Sequence, residues 1–299
     1  MIETTFRAMN STIVLSGMNF EPQVEIKKNI IDFEQKVSRF LPDNQLAFIN
    51  RSPLNVPIYL EATLADLLDR SLQLARKSAH YVHPFLGKAI MTNGYTESFQ
   101  EHNQPVFTES DAVHVSREPI KRISKSWIIK KENFLFDFGG FGKGYIVDNG
   151  IKQLKQKGVD HFLINAGGDL RVLGSHEVGI EHPVLMGEDM IRLTITDKAI
   201  ATSGKNYRRW TKGSKEYHHL LNGRTGEPAF NGVLQASVIA NTAMEAETAA
   251  KLLCILPFEK AKALLYRHFP QIAYIVYLEN DQISIGGDSQ LYNRLEVAG

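Results

Sequence analysis

Lys143 stands inside DFGGFGKG, residues 137 to 144, where an aspartate opens the run and four glycines crowd the last six positions. Backbone amides exposed at such a turn, the positive end of a helix starting there and one ammonium are the parts of a phosphate cradle. Two familiar forms of that cradle do not fit. A Walker loop needs a glycine well ahead of its Gly-Lys pair and a hydroxyl residue after it, and those positions hold Asp137 and Gly144. A dinucleotide fingerprint begun at Gly140 needs its third glycine where Tyr145 stands. Gly139, Gly140 and Gly142 also remove Cβ atoms where the chain turns. A turn made only for close packing therefore accounts for this stretch equally well.

Other segments add chemistry to strand ends. NAGGDL (165–170) closes an apolar run with paired glycines and Asp169, and ATSGKNYRR (201–209) places Ser203 and Gly204 after another. YHHLLNGRTGEPA (217–229) joins two histidines to an RTG turn, and TAMEAETAAKLL sets Glu247 and Lys251 one helical turn apart on the same face. Polar, glycine-bearing turns in this number exceed what packing requires. His218 and His219 alternate and so face opposite ways. For His219 an acid–base role and a hydrogen-bonded structural role both stand. Cys254, inside KLLCIL, reads as buried and inert, and as the single cysteine it has no internal disulfide partner.

The elements that must position these residues follow from periodicity. TTFRAM and TIVLSG alternate as two short strands. PQVEIKKNIIDFEQKVSRFL spaces Val24, Ile30, Phe33 and Val37 as an amphipathic helix entered at Pro22, with Phe40 ending the stripe. Residues 61–79 repeat the pattern with Leu64, Leu67, Leu68, Leu72 and Ala75. The polar stretch from about 92 to 126 is long for a structureless loop, so short strands are expected within it. SWIIKKENFLFDF reads as a strand or hairpin, followed by a helix from Lys143 to Gly158 and a strand at HFLINA. Strands at IRLTITD and AIATSG, a hairpin turning at KGS, and a strand at VLQASVIA come next. Helices from Thr242 and over PFEKAKALLYRHF precede a final hairpin around ENDQ. Helices and strands mix without regular alternation, which indicates an α+β fold with mixed or antiparallel sheets and packed helices.

Of the 299 residues, 43% are hydrophobic, enough for one large core or two modest ones, and no linker divides the chain. One domain over 1–299 is expected, built as one lobe or as two intimately packed ones. Thirty-four basic against 33 acidic residues leave a formal charge of +1, which makes nucleic acid a poor partner. No run reaches the roughly 20 apolar residues that a membrane span needs. The N-terminus, with Glu3 and Arg7, does not read as a signal peptide, so a cytoplasmic location is expected, or an extracytoplasmic one if a leader has been removed.

In chain order AMNST, SRFLPDNQLAFIN, DFGGFGKG, NAGGD, ATSG, HLLNGRTGEP and TAMEAETAAK, from Met9 to Lys251, resemble the motifs of the ApbE family of flavin transferases. The resemblance implies that family's fold and a magnesium-dependent transfer of FMN from FAD to a threonine of a target protein, with release of AMP. It implies contacts to FAD from Met9 and from Phe40, the latter by stacking, where a core role is the alternative. Asp137 and Lys143 would hold the flavin nucleotide at the Gly139 turn. Gly168, Asp169, Ser203, Gly204, His219, Arg224 and Thr225 would line the site, and the backbone near Leu221 would touch the cofactor. The carbonyl of Gly140 and the carboxylate of Glu247 would bind the metal, with Lys143, Asp169 and His219 as the catalytic group.

Five places depart from the family pattern. Glu247 replaces an aspartate and Lys251 a threonine at the metal. His83-Pro84-Phe85 stands in place of Asp-Pro-Thr, Asn222 in place of an aspartate, and Asn10 in place of a glycine. An ammonium has no lone pair and cannot ligate magnesium. Lys251 therefore either pairs with Glu247 and supplies the positive charge itself, or swings out and leaves the position to water. Binding of FAD without transfer, and hydrolysis of FAD to FMN and AMP, are the alternatives to transfer.

Overall fold

A computed structural model describes residues 1–96, 115–206, 209–212 and 215–297. Strands β1 (Ile2–Ala8) and β2 (Ser11–Gly17) open the chain, followed by α1 (Glu21–Val37), α2 (Gln45–Arg51), β3 (Pro57–Tyr59), α3 (Ala62–Lys77) and α4 (Gly87–Thr92). The hairpin β4 (Ile120–Ser124) and β5 (Trp127–Lys130) precedes α5 (Gly142–Gln156). Then come β6 (Phe162–Ala166), β7 (Asp169–Leu173), β8 (Ser175–Glu181), β9 (Asp189–Thr196), β10 (Ala199–Gly204), β11 (Arg209–Lys212), β12 (Lys215–His218) and β13 (Val233–Ala240). Helices α6 (Ala243–Ile255) and α7 (Phe258–His268) and strands β14 (Ile272–Leu278), β15 (Ile283–Gly287) and β16 (Arg294–Val297) complete it.

The central sheet has the order β1-β2-β6-β7-β10-β13-β14-β15, and every neighbouring pair is antiparallel. The fold is thus α+β, as the irregular mixture of helix and strand patterns indicates. Side-chain alternation sends the strands' residues to two cores. Ala199, Ala201, Ala236, Val238 and Val276 join the larger cluster beneath the helices. Ile200, Ile239, Ala273 and Ile275 join a second one with Val178, Ile180, Leu193 and Ile195 from the three-stranded sheet β16-β9-β8. Burial on both faces explains why VLQASVIA and IAYIVYL are nearly unbroken apolar runs.

Several local expectations differ from what is observed. In α1 the buried stripe is Gln23, Ile26, Ile30, Phe33 and Val37, while Val24 lies one residue off that stripe and is exposed. FLFDF is not a strand. Among the described residues no strand pairs with it, and its backbone is held instead by the Asn50 amide, which accepts from Phe136 N at 2.7 Å and donates to its carbonyl at 3.1 Å. Pro84 O accepts from Asp137 N at 2.9 Å, and Leu135 O accepts from Gly87 N at 3.0 Å. The polar stretch does hold a strand, β4, but residues 97–114 lie outside the described residues, as does the expected hairpin turn at residues 213 and 214. No helix of the described residues is long and apolar enough to cross a membrane.

The junction of α5 and α6 fixes the geometry that follows. Thr242 caps α6 by accepting from Glu245 N at 3.3 Å, a capping box written in the sequence Thr-Ala-Met-Glu. From α5, the buried Asp148 carboxylate accepts from Ala243 N at 2.8 Å and Met244 N at 3.1 Å, and Arg171 pairs with it at 2.6 Å. Gly144 lets the helices meet, since a Cβ there would lie 2.7 Å from Met244 N and 2.8 Å from the Ala243 carbonyl carbon.

Candidate functional site

The glycine turn ends directly in α5. Phe141 N and Gly142 N both donate to Phe138 O, at 2.9 and 2.7 Å, and the N-cap residue Phe141 adds no side-chain cap. Gly144 N is taken by Glu247, so what this helix start offers a ligand is chiefly the positive end of its dipole, which favours negative charge. None of Gly139, Gly140 and Gly142 has a positive φ, so left-handed backbone is not the reason for glycine at these positions. A Cβ at Gly142 would meet Met9 Cε at 3.3 Å, whereas one at Gly140 would make ordinary contacts with the Lys251 methylenes at 3.6 and 3.7 Å and with Val82 Cγ1 at 3.8 Å. Close approach explains the first, and an uncovered surface the second.

Below the turn sit four charges. Lys143 Nζ lies 2.5 Å from Asp169 Oδ2, close but off the angle of an aligned hydrogen bond, so the contact is an ion pair. Asp169 opens β7 and is almost fully buried. Glu247, with no exposed surface, accepts from Gly144 N at 3.0 Å through Oε2 and from Lys251 Nζ at 2.9 Å through Oε1. Burial pushes the Glu247 carboxyl up from its ordinary range, and the Lys251 ammonium opposes that shift. Of the two arrangements open for Lys251, the ion pair is the one formed. Both ammoniums line an open cleft.

The cleft's other wall is aromatic. Phe40 lies past the end of α1, half-buried, and lines the cleft rather than the core. The Arg39 guanidinium stands 4.2 Å from the Phe40 ring centre and 5.0 Å from that of Tyr95, and pairs with Asp137 at 2.5 Å. Asp137 in turn accepts from Gly139 N at 2.7 Å, which shapes the glycine turn. Met9 and Asn10 form the two-residue turn between β1 and β2 with φ of 52° and 55°. Such left-handed backbone is unusual for methionine. Glu34 holds it there by accepting from Met9 N at 2.7 Å.

The cleft rim comes from the 217–229 segment. His219 and Leu221 line the cleft, while His218 faces inward, accepting from Leu220 N at 3.2 Å and contacting Ala229 O at 2.9 Å. His83 is held the same way, accepting from Phe85 N at 3.2 Å with Gly223 O 2.6 Å from its other nitrogen. Burial pushes both rings down to about 4, so both are neutral near pH 7.

Met9, Phe40, Asp137, Gly139, Gly140, Lys143, His219, Leu221 and Lys251 thus share one cleft. Asp169 and Glu247 lie just beneath it, each paired to a lysine of its lining. The remaining candidates are placed differently. Gly168, at φ 91°, takes Asn165 Oδ1 on its amide at 2.9 Å and anchors β10 through Thr202 N. Ser203 and Gly204 are buried in β10, with Ser203 O 3.3 Å from the Cys254 thiol, which burial pushes up to about 12. Arg224 donates twice to Ala79 O, at 2.8 and 2.6 Å, and covers the Tyr81 ring at 4.0 Å. Thr225 Oγ1 accepts from Glu227 N at 3.3 Å within the RTG turn. Arg39, Glu34 and Tyr95 were not identifiable from sequence, because their partners lie far along the chain and no local pattern marks them.

The donors here do not fit the magnesium that the resemblance implies. Both Glu247 oxygens are engaged, and an ammonium holds the position of a further ligand. Among the described residues no group of three or more His, Cys, Asp or Glu is arranged for a metal. No step below is routed through one.

The profile of the ApbE family matches residues 5–276. An FAD:protein FMN transferase of Klebsiella pneumoniae is 30% identical over 167 residues, which cover 56% of this chain and 52% of that protein. The match thus spans about half the length of that relative. One from Treponema pallidum is 26% identical over 263 residues, covering 80% of this chain and 72% of its own. The crystal structure of the ApbE protein from Thermotoga maritima superposes with a TM-score of 0.84 at 21% identity, covering 98% of this chain and 99% of that one. Flavin transferase ApbE from Vibrio cholerae gives 0.79 at 18%, covering 97% of each chain. At these identities the structural likeness speaks for the fold.

Proposed function

The chain belongs to the ApbE family, and from that membership we propose that it is an FAD:protein FMN transferase that moves FMN from FAD to a threonine hydroxyl of a target protein. The observation that carries this reading is the cleft in which Lys143 and Lys251 meet the positive end of α5 opposite the Phe40 wall. A diphosphate suits the first group, and a flat ring the second. The acceptor oxygen attacks the FMN-side phosphorus, a new P–O bond forms, and the bond to the AMP phosphate breaks as AMP leaves. Lys143, with the positive end of the α5 dipole behind it, stabilises the charge that develops on the phosphoryl oxygens. His219, in the cleft lining, is placed to take the hydroxyl proton, with Asp169 holding Lys143 in position. Arg224 supports the wall from behind by covering Tyr81, a residue of the cleft lining.

The test is incubation with FAD and a threonine-bearing acceptor, read by the mass of the acceptor and by AMP in solution. Stoichiometric gain of an FMN group and release of AMP is the expected result. The Glu247–Lys251 pair favours a second reading, FAD binding without transfer. FAD bound with neither adduct nor AMP would select it, and AMP without adduct would select hydrolysis.

A further inference from the structure

The four charges beneath the cleft have a consequence for its ligand. Two carboxylates, Asp169 and Glu247, are buried, and the two ammoniums paired with them are the groups that reach the cleft. The Lys143 and Lys251 side chains retain 17% and 13% of their exposure, enough to present N–H bonds to a ligand while staying anchored. An ammonium has three donors, and Glu247 engages one of those on Lys251, at 2.9 Å. The Lys251 stem also packs along Gly140, so its head is held beside the glycine turn. A divalent cation entering here would have to displace Lys251 from a fully buried carboxylate and then lie against two ammoniums.

We propose that Lys251 and Lys143 together bind the diphosphate of a dinucleotide with no divalent cation, Lys251 acting as a covalently attached counter-charge. This rests on the reading of the cleft as an FAD site, and the experiment separates the two. FAD is titrated calorimetrically into the wild-type protein in EDTA and in excess magnesium. The same is done with Lys251→Thr and Lys251→Arg, each checked for folding by its thermal melt. Inorganic pyrophosphate is titrated in EDTA alone.

The expected result is wild-type FAD affinity that magnesium changes by no more than about twofold, and a Lys251→Thr affinity weaker in EDTA by roughly tenfold or more. Lys251→Arg keeps binding in EDTA. Should Lys251→Thr not fold, the wild-type pair of titrations and the arginine variant decide alone. A wild-type affinity that magnesium raises roughly tenfold, or a folded Lys251→Thr that binds as the wild type does in EDTA, overturns the proposal and leaves the FAD site standing. Pyrophosphate binding that needs Lys251, with no FAD binding in any condition, upholds the two-ammonium site and removes FAD as its ligand. Failure of both ligands overturns both.

Discussion

Asp169 and Lys143 show how a single side chain serves position and chemistry at once. Asp169 has almost no exposed surface, so removing Lys143 leaves a buried carboxylate without its counter-charge, a change that costs roughly 3–5 kcal/mol. Lys143→Met is therefore expected to lower the urea midpoint strongly and to weaken FAD binding. Adding Asp169→Asn should restore much of the stability, because the orphaned charge is gone, without restoring the binding. Denaturation curves for both singles and the double measure this coupling. A Lys143→Met protein as stable as the wild type would show that the ion pair does not hold Asp169. Arg39 plays a comparable part on the opposite wall, fixing Asp137 while lying against Phe40 and Tyr95.

Helices α5 and α6 must touch for these residues to meet, and Gly144 is where they do. A methyl group there would have to occupy space held by the Ala243–Met244 backbone, which cannot move without breaking the Asp148 cap. Gly144→Ala should cost about 1–3 kcal/mol or more through overpacking and should shift Glu247, whose Oε2 is bound to Gly144 N. Gly158→Ala is the control. Gly158 sits at φ 74° past the end of α5 with open space around it, so its cost is the backbone term of about 1 kcal/mol, with no effect on ligand binding. Equal losses of affinity in both variants would remove the helix contact as the explanation. The same contrast separates Gly140 from its neighbours in the turn, since a methyl there makes only ordinary contacts, with lysine methylenes and a Val82 methyl.

At the scale of the whole molecule, His83 ties the 217–229 segment to the body and His218 closes that segment on itself, both as neutral rings. Their folded values are about 4 against an ordinary 6.5, so between those limits the unfolded chain binds protons that the folded one does not. Stability from these rings is complete above pH 6.5 and falls as pH drops toward 4, at up to about 1.4 kcal/mol per pH unit for each ring. Urea midpoints across that range should decline for the wild type and decline less steeply for His83→Gln and His218→Gln. An unchanged slope in both variants would place the acid sensitivity elsewhere. The rim of the cleft, being held by these rings, should loosen before the central sheet does.

How much of this was legible beforehand follows from the range of the interactions. The α1 and α3 stripes, the start of α6 at Thr242 and the β14–β15 hairpin depend on neighbours a few positions away, so periodicity and turn residues determined them. The ordered motifs pointed to the site, and the spacing of Glu247 and Lys251 placed them on one face. Val24 and FLFDF were misread because the true stripe and the Asn50 clamp depend on what lies opposite, and composition does not encode that. The choice between a lysine in solvent and a lysine in place of a metal was also beyond local sequence. Only the packing of α6 against the start of α5 buries Glu247, gives one of its oxygens to Gly144, and leaves the other to Lys251. A carboxylate taken out of water must keep its counter-charge, and burial is a property of the assembled fold rather than of any segment.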